Sequence, residues 1–278
     1  MKPVVAIIAP GQMGSAVGKR LTGNGVQVVT VLEGRSVETA KRADAAAMMP
    51  VALNALGEAD IILSIVPPGE AESLARRLAP VLSAARKKPI YADCNAVNPQ
   101  TVERIASIVA ATGSPFVDAG IIGGPPKADY AGPTFYLSGA QANGVVVLTQ
   151  FGLQCQVLDG PIGAASALKM SYAGITKGLT ALASVMLLAA TRAGTAEALH
   201  RELAHSQPEL LSWFERQVPS MFPKAYRWVA EMDEIAGFIE GDEAGRALYG
   251  SIARLYERLA ADFAGAKSET KMLARFFD

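Results

Sequence analysis

Cysteine is nearly missing from this chain. Cys94 and Cys155 are the only two in 278 residues. The opening run MKPVVAIIAP is too short, and broken too soon by Pro10, to be a secretory signal. The two thiols therefore read as reduced, packed side chains of a cytoplasmic protein and not as a disulfide frame. Histidine is equally scarce, with two residues, so a zinc site lacks ligands of the usual kind and no metal is expected. Nor is there an excess of either charge. Lys plus Arg and Asp plus Glu number 26 each, and residues 1–160 hold 13 basic against 12 acidic side chains. That removes the basic excess on which nucleic-acid binding rests. One apolar run, ITKGLTALASVMLLAA over 175–190, is long enough to raise the question of a membrane. It contains Lys177 and several Thr and Ser, and small residues dominate it, so it reads as a buried helix.

What is present is a regular alternation. Half the residues are hydrophobic, enough for a substantial core. Apolar strand runs are expected at 4–9, 26–32, 60–65, 89–93, 114–118, 134–138 and 154–158. Helical patterns separate them at 12–23, 36–47, 69–79 and 98–111, the last with Pro99 at its first position. After Pro161 the strand signal stops. Helical periods follow at 162–193, 195–217, 222–239 and 243–263, with a short last piece. This predicts an α/β fold: a Rossmann-type, doubly wound, mainly parallel sheet, followed by an all-α C-terminal domain. The expected division is 1–161 and 162–278.

The first strand runs into Ala9-Pro10-Gly11-Gln12-Met13-Gly14. This is a G-x-G-x-x-G turn with Ala9 in place of the first glycine. A phosphate cradle needs a residue without Cβ where the backbone meets a pyrophosphate, and a small residue where helix and strand pack. Gly11 and Gly14 supply these, and the helix N-terminus adds partial positive charge. After the second strand comes Leu32-Glu33-Gly34-Arg35-Ser36. Glu33 would bond a ribose 2′-OH and favour NAD, whereas Arg35 beside Ser36 would hold a 2′-phosphate and favour NADP. The balance tips to NADP. Ser36 can also simply cap the next helix.

Residues 118–139 read DAGIIGGPPKADYAGPTFYLSG. Gly123-Gly124 after a strand can offer backbone N–H groups to a carboxylate. At this point the chain resembles the β-hydroxyacid dehydrogenase superfamily, which includes 3-hydroxyisobutyrate and 6-phosphogluconate dehydrogenases. The resemblance rests on Ala9–Gly14, Arg35-Ser36, Ile121-Ile122-Gly123-Gly124, and Gly163–Ala173 with Lys169 at the position of the family's lysine. It is closest to a less characterised, 6-phosphogluconate-dehydrogenase-like branch with an L-E-G-R-S motif that uses NADP. Beyond residue 190 it extends only to all-helical character. Two positions depart from the pattern. The substrate-loop serine is Ile122, and the helix asparagine is Ala173. Against true 6-phosphogluconate dehydrogenases the helical histidine is Tyr172, the acid is Thr176 and the following tyrosine is Lys177. 6-Phosphogluconate itself is therefore disfavoured as substrate.

Helical geometry puts 169, 172, 173 and 176 on one face, with 177 at its edge. That polar stripe near the domain junction suits a substrate site. The resemblance implies that Lys169 is the general acid–base, exchanging a proton with a hydroxyl while hydride passes to nicotinamide. Lys177 is too far along the helix to share that proton and is expected to bind a substrate anion. Val66-Pro67 is expected under the cofactor, and Asn95 near the nicotinamide ribose or Lys169. The Ala-rich helix of about 30 residues predicts a homodimer through the helical domain. The expected activity is NADP-dependent hydride transfer with a small hydroxyacid or its semialdehyde. The alternatives are imine reduction, against which Lys169 argues, and a non-catalytic NADP-binding sensor or scaffold, which Ile122 and Ala173 keep open.

Overall fold

The computed structural model describes residues 2–278. The chain forms two compact units, Met1–Met170 and Ser171–Asp278. The division falls inside one long helix.

In the first unit the elements are β1 (Val4–Ile8), α1 (Gln12–Gly23), β2 (Gln27–Thr30), α2 (Val37–Ala45), β3 (Met49–Pro50), β4 (Ile61–Ser64), α3 (Ala71–Ala84), β5 (Ile90–Asp93), α4 (Pro99–Ala110), β6 (Phe116–Ile122), β7 (Thr134–Ser138), α5 (Asn143–Val146) and β8 (Gln154–Val157). They build one eight-stranded sheet in the order β3-β2-β1-β4-β5-β6-β7-β8. Every pairing is parallel except β6 with β7. Both faces are covered, and the strands show why. In β1, Val5 and Ile7 join the core on one side of the sheet while Ala6 and Ile8 join the core on the other. Unbroken apolar runs of this kind cannot leave a face to water. The fold is the expected Rossmann-type sheet.

Several details differ from the sequence reading: β6 runs on to Ile122, past the expected end at 118, and the short α5 was not expected. The edge strand β3 was not foreseen, because both of its residues are exposed and carry no apolar run. Helix α3 was expected to stop at 79 but continues through Pro80 to Ala84. Pro80 is exposed, while Leu78 and Leu82 on either side are fully buried. Their burial outweighs the hydrogen bond that proline removes.

Helix α6 (Ala164–Arg192) contributes its first two turns to the first unit and the rest to the second. The second unit continues with α7 (Ala196–Ser206), α8 (Pro208–Met221), α9 (Ala225–Phe238), α10 (Glu243–Ala264) and α11 (Ser268–Arg275). The single helix expected over 195–217 is two helices. Pro208 stands at the first position of α8 and disfavours helical backbone at Gln207, whose φ of −141° is outside the helical range. Phe214, Val218, Met221, Met232, Ile235, Tyr256 and Leu259 are among the buried side chains of this unit. The carboxylate of Asp262 accepts from the backbone N–H groups of Ser268, Glu269 and Thr270, and so caps α11.

Helix α6 is long and apolar enough to cross a membrane by length and composition alone, with half of its most apolar window buried in the chain. It is not buried throughout, as its sequence suggested. Tyr172, Ile175, Leu179, Leu182 and Met186, spaced three or four apart, form one row, each between 38% and 63% exposed.

Candidate active site

The turn after β1 has the form its glycines predicted. Gly11 is the N-cap of α1, and no side chain caps that helix. The first N–H groups of the helix, on Gln12, Met13 and Gly14, therefore lack intrahelical partners and form an anion cradle. A Cβ on Gly11 would meet no atom within 4 Å, so the space over the turn is open. Gly14 is required for another reason: a Cβ there would stand 2.2 Å from the Ala9 carbonyl oxygen. Ala9 itself donates its N–H to Ile65 O at 3.1 Å, tying the turn to the strand beside it. Open space above uncapped helix donors fits a dinucleotide pyrophosphate.

Beyond β2, Glu33 is exposed and Arg35 half-buried. Ser36 caps α2, its hydroxyl accepting from Thr39 N at 3.3 Å. The same helix reaches back to the glycine turn. Arg42 donates to Thr39 Oγ1 at 2.9 Å and to the Pro10 carbonyl at 3.2 Å.

Asn95 is buried. Its amide oxygen accepts from Val66 N at 2.7 Å, and its amide nitrogen donates to Ser64 Oγ at 2.9 Å and to Asp93 Oδ1. Both amide hydrogens are thus used inside this unit. What Asn95 fixes is the backbone at Val66, where the chain leaves β4 toward Pro67.

The sheet register explains this polar cluster. Ser64, Asp93, Asp118 and Ser138 are successive partners on one rung, across β4, β5, β6 and β7. All four are buried. Asp118 is the hub. Its Oδ2 accepts from Ser138 Oγ at 2.9 Å, Gly163 N at 3.0 Å and Ser166 N at 3.0 Å, and its Oδ1 from Ser166 Oγ at 2.7 Å. Ser138 Oγ also accepts from Ala165 N at 3.1 Å. The donors that open α6 are therefore satisfied from the sheet. Burial raises the Asp118 carboxyl above its ordinary value, against the opposing pull of the Ser166, Ser138 and Gly163 bonds. Asp93 is more isolated. Its Oδ2 is buried with no hydrogen-bond partner. Burial pushes its carboxyl up to about 7, and the neighbouring Asp118 charge adds to that, while the Asn95 bond opposes it.

Anchoring α6 in this way sets Lys169. In the first turn of the helix, the Ala165 carbonyl lies so close to Gly120 of β6 that a Cβ on Gly120 would approach it to 2.6 Å. That Cβ would also be 3.3 Å from Lys169 Cβ, so the lysine stands directly over this glycine, half-buried. Ile122 ends β6, and Gly123-Gly124 follow it, with Gly123 at φ +124°. Lys169, Gly120 and the strand that delivers the Gly123-Gly124 loop all belong to the first unit, as does the glycine turn.

The other residues of the expected stripe lie in the second unit. Ala173 is buried and Tyr172 exposed. Thr176 Oγ1 donates to the Tyr172 carbonyl at 2.9 Å. Lys177 is half-buried and forms an ion pair with Glu231 of α9. Its ammonium also lies 4.9 Å from the Trp228 ring centroid. Desolvation lowers its pKa, and the Glu231 charge offsets part of that. Lys177 thus meets its counter-charge within its own unit, a partnership that helix spacing could not disclose. Asp118, Asp93, Ser138 and Ser166 were not singled out from the sequence. The available signal was an acid inside each of two apolar strand runs, YAD and FVDAGII.

Burial pushes both thiols up, Cys155 to about 11 and Cys94 well above its usual value, so neither is poised as a nucleophile. Among the described residues, no group of three or more His, Cys, Asp or Glu could hold a metal.

A doubly wound parallel sheet with an uncapped glycine turn after its first strand defines the class of dinucleotide-binding domains. The chain matches the NAD binding domain of 6-phosphogluconate dehydrogenase over residues 4–151, more than half its length, and belongs to that family. Residues 190–259 match a domain of unknown function, DUF1932. A 3-hydroxyisobutyrate dehydrogenase from Pseudomonas aeruginosa is 29% identical over 206 residues, 70% of this chain and 62% of that enzyme. A conserved protein of unknown function, whose structure was described as similar to 3-hydroxyacid dehydrogenases, is 28% identical with a TM-score of 0.73. That match covers 97% of this chain and 99% of that one. An imine reductase from Myxococcus stipitatus, solved with NAD+, shares the fold over 100% of both chains at 20% identity and a TM-score of 0.62. The protein is an NAD(P)-dependent oxidoreductase of the hydroxyacid-dehydrogenase-like kind.

Proposed function

We propose that the protein is an NADP-dependent oxidoreductase acting on a small hydroxyacid or its semialdehyde, with Lys169 as general acid–base. The observation that carries this reading is the fixed stance of Lys169. The helix that bears it is locked onto β6 through Asp118 and Gly120, in the unit that holds the dinucleotide cradle. Gly11, Gln12, Met13 and Gly14 hold the pyrophosphate, Arg35 and Ser36 the 2′-phosphate, Val66 and Pro67 pass under the cofactor, and Asn95 lies toward the nicotinamide ribose. NADP, when bound, supplies or accepts the hydride at its nicotinamide ring. A neutral Lys169 amine takes the substrate hydroxyl proton; in the reverse direction the ammonium returns it to the carbonyl oxygen. Such help is worth about 10²–10⁴-fold in rate. The N–H groups of Gly123 and Gly124 receive the substrate carboxylate.

Imine reduction is the second reading. The fold shared with the imine reductase and the apolar Ile122 and Ala173, where a carboxylate binder would carry polar groups, favour it. The retained Lys169 favours the first. A panel of hydroxyacids, semialdehydes and imines, followed at the NADPH absorbance band, separates the two. Turnover only on imines removes the hydroxyacid assignment.

The exposed row Tyr172, Ile175, Leu179, Leu182 and Met186 supports a homodimer formed through α6. A cytoplasmic location completes the proposal, in keeping with the reduced thiols.

A further inference from the structure

A cavity of about 170 Å³ in the first unit is lined by Arg35, Val66, Glu70, Ser73, Leu74 and Arg77. Arg35 lies beyond β2, and Val66 beyond β4. Glu70, Ser73, Leu74 and Arg77 come from the start of α3 and the residue before it, spaced to form one helix face. The sheet order places β1 between β2 and β4, so the cavity borders the strand ends where the glycine turn begins.

Its charge is unusual for its surroundings. The neighbouring cations are spent: Arg76 and Arg104 both pair with Glu72, at 2.7 and 3.0 Å. Arg35 and Arg77 line the cavity, and neither has a carboxylate within 4 Å among the described residues. Glu33, the acid expected to read a ribose 2′-OH, does not line it. Two guanidiniums therefore face one small cavity with Glu70 as its only acid. Each presents a planar fork of donors that matches a phosphate.

We propose that Arg77 is a second specificity-determining residue, gripping the 2′-phosphate of NADP from the side opposite Arg35. This rests on the NADP reading above. It makes phosphate recognition a property of two elements, the loop after β2 and the helix after β4. An Arg-Ser pair alone would place it on the first.

Calorimetric titration of the full chain with NADPH, NADH, 2′,5′-ADP and 5′-AMP tests the proposal without any substrate. Arg77 is exposed, so Arg77→Ala leaves the melting temperature unchanged. The variant should lose about tenfold in affinity for NADPH and 2′,5′-ADP, while NADH and 5′-AMP stay within about twofold. Arg35→Ala should show the same pattern. Unchanged NADPH affinity in Arg77→Ala, with the preference abolished in Arg35→Ala, overturns the role of Arg77 and leaves the NADP reading standing. Equal loss for all four ligands also overturns it. A wild-type protein that binds NADPH and NADH equally overturns the NADP reading itself.

Discussion

Replacing Asp93 by Asn should stabilise the protein at alkaline pH. Asp93 is buried at the end of β5, one oxygen bonded by Asn95 and the other without a partner. Burial and the neighbouring Asp118 hold its carboxyl up to about 7, against an unfolded value of 3.8. A raised carboxyl holds its proton in the folded state after the unfolded chain has released it. Its contribution is therefore complete below pH about 4 and is lost as pH rises through about 7. Three units at about 1.4 kcal/mol each give roughly 4 kcal/mol across that window. Asn keeps the shape and the Oδ1 acceptor and cannot ionise. In urea unfolding followed by circular dichroism, the wild-type stability minus that of Asp93→Asn should fall steadily from pH 4 to 8. The variant should be the more stable at pH 8, by up to roughly 4 kcal/mol. A flat difference, or a variant weaker at pH 8, refutes the assignment of a strained buried acid.

Other consequences follow from the same geometry. Lys169→Met should lower turnover by about 10²–10⁴-fold on any substrate the screen reveals while NADPH binding persists; full turnover would remove its acid–base role. Lys177→Met removes the ion pair with Glu231 in the second unit and should cost about 1–3 kcal/mol, with part of it recovered in the double variant Lys177→Met/Glu231→Leu, as thermal unfolding would read. Gly14→Ala forces a Cβ against the Ala9 carbonyl and should destabilise the first unit by about 1–3 kcal/mol and weaken nucleotide binding. The double substitution Ile175→Glu/Leu182→Glu should convert a dimer to a monomer in sedimentation velocity. A wild-type monomer at micromolar concentration would remove the proposed interface.

Much of this molecule was legible in its residues. The strands of the parallel sheet announce themselves as apolar runs between glycine and proline breaks, because a strand covered on both faces can carry little else. The cradle was legible for a similar reason. Gly14 answers to local sterics between one strand and one helix, and local sterics are written locally. Lys169 stands out in the sequence because an amine is conspicuous on an apolar helix.

What the sequence could not order was anything that depends on which strands become neighbours. Ser64, Asp93, Asp118 and Ser138 are scattered over 75 residues, and only the register of four strands puts them on one rung. The same holds for Glu231, which meets Lys177 across 54 residues of chain, and for Arg77, which reaches the cavity of Arg35 from another crossover. Periodicity and turn chemistry act over a few residues and fix the elements. Buried charges must find partners wherever the fold brings them, so their pairing was decided by the tertiary structure.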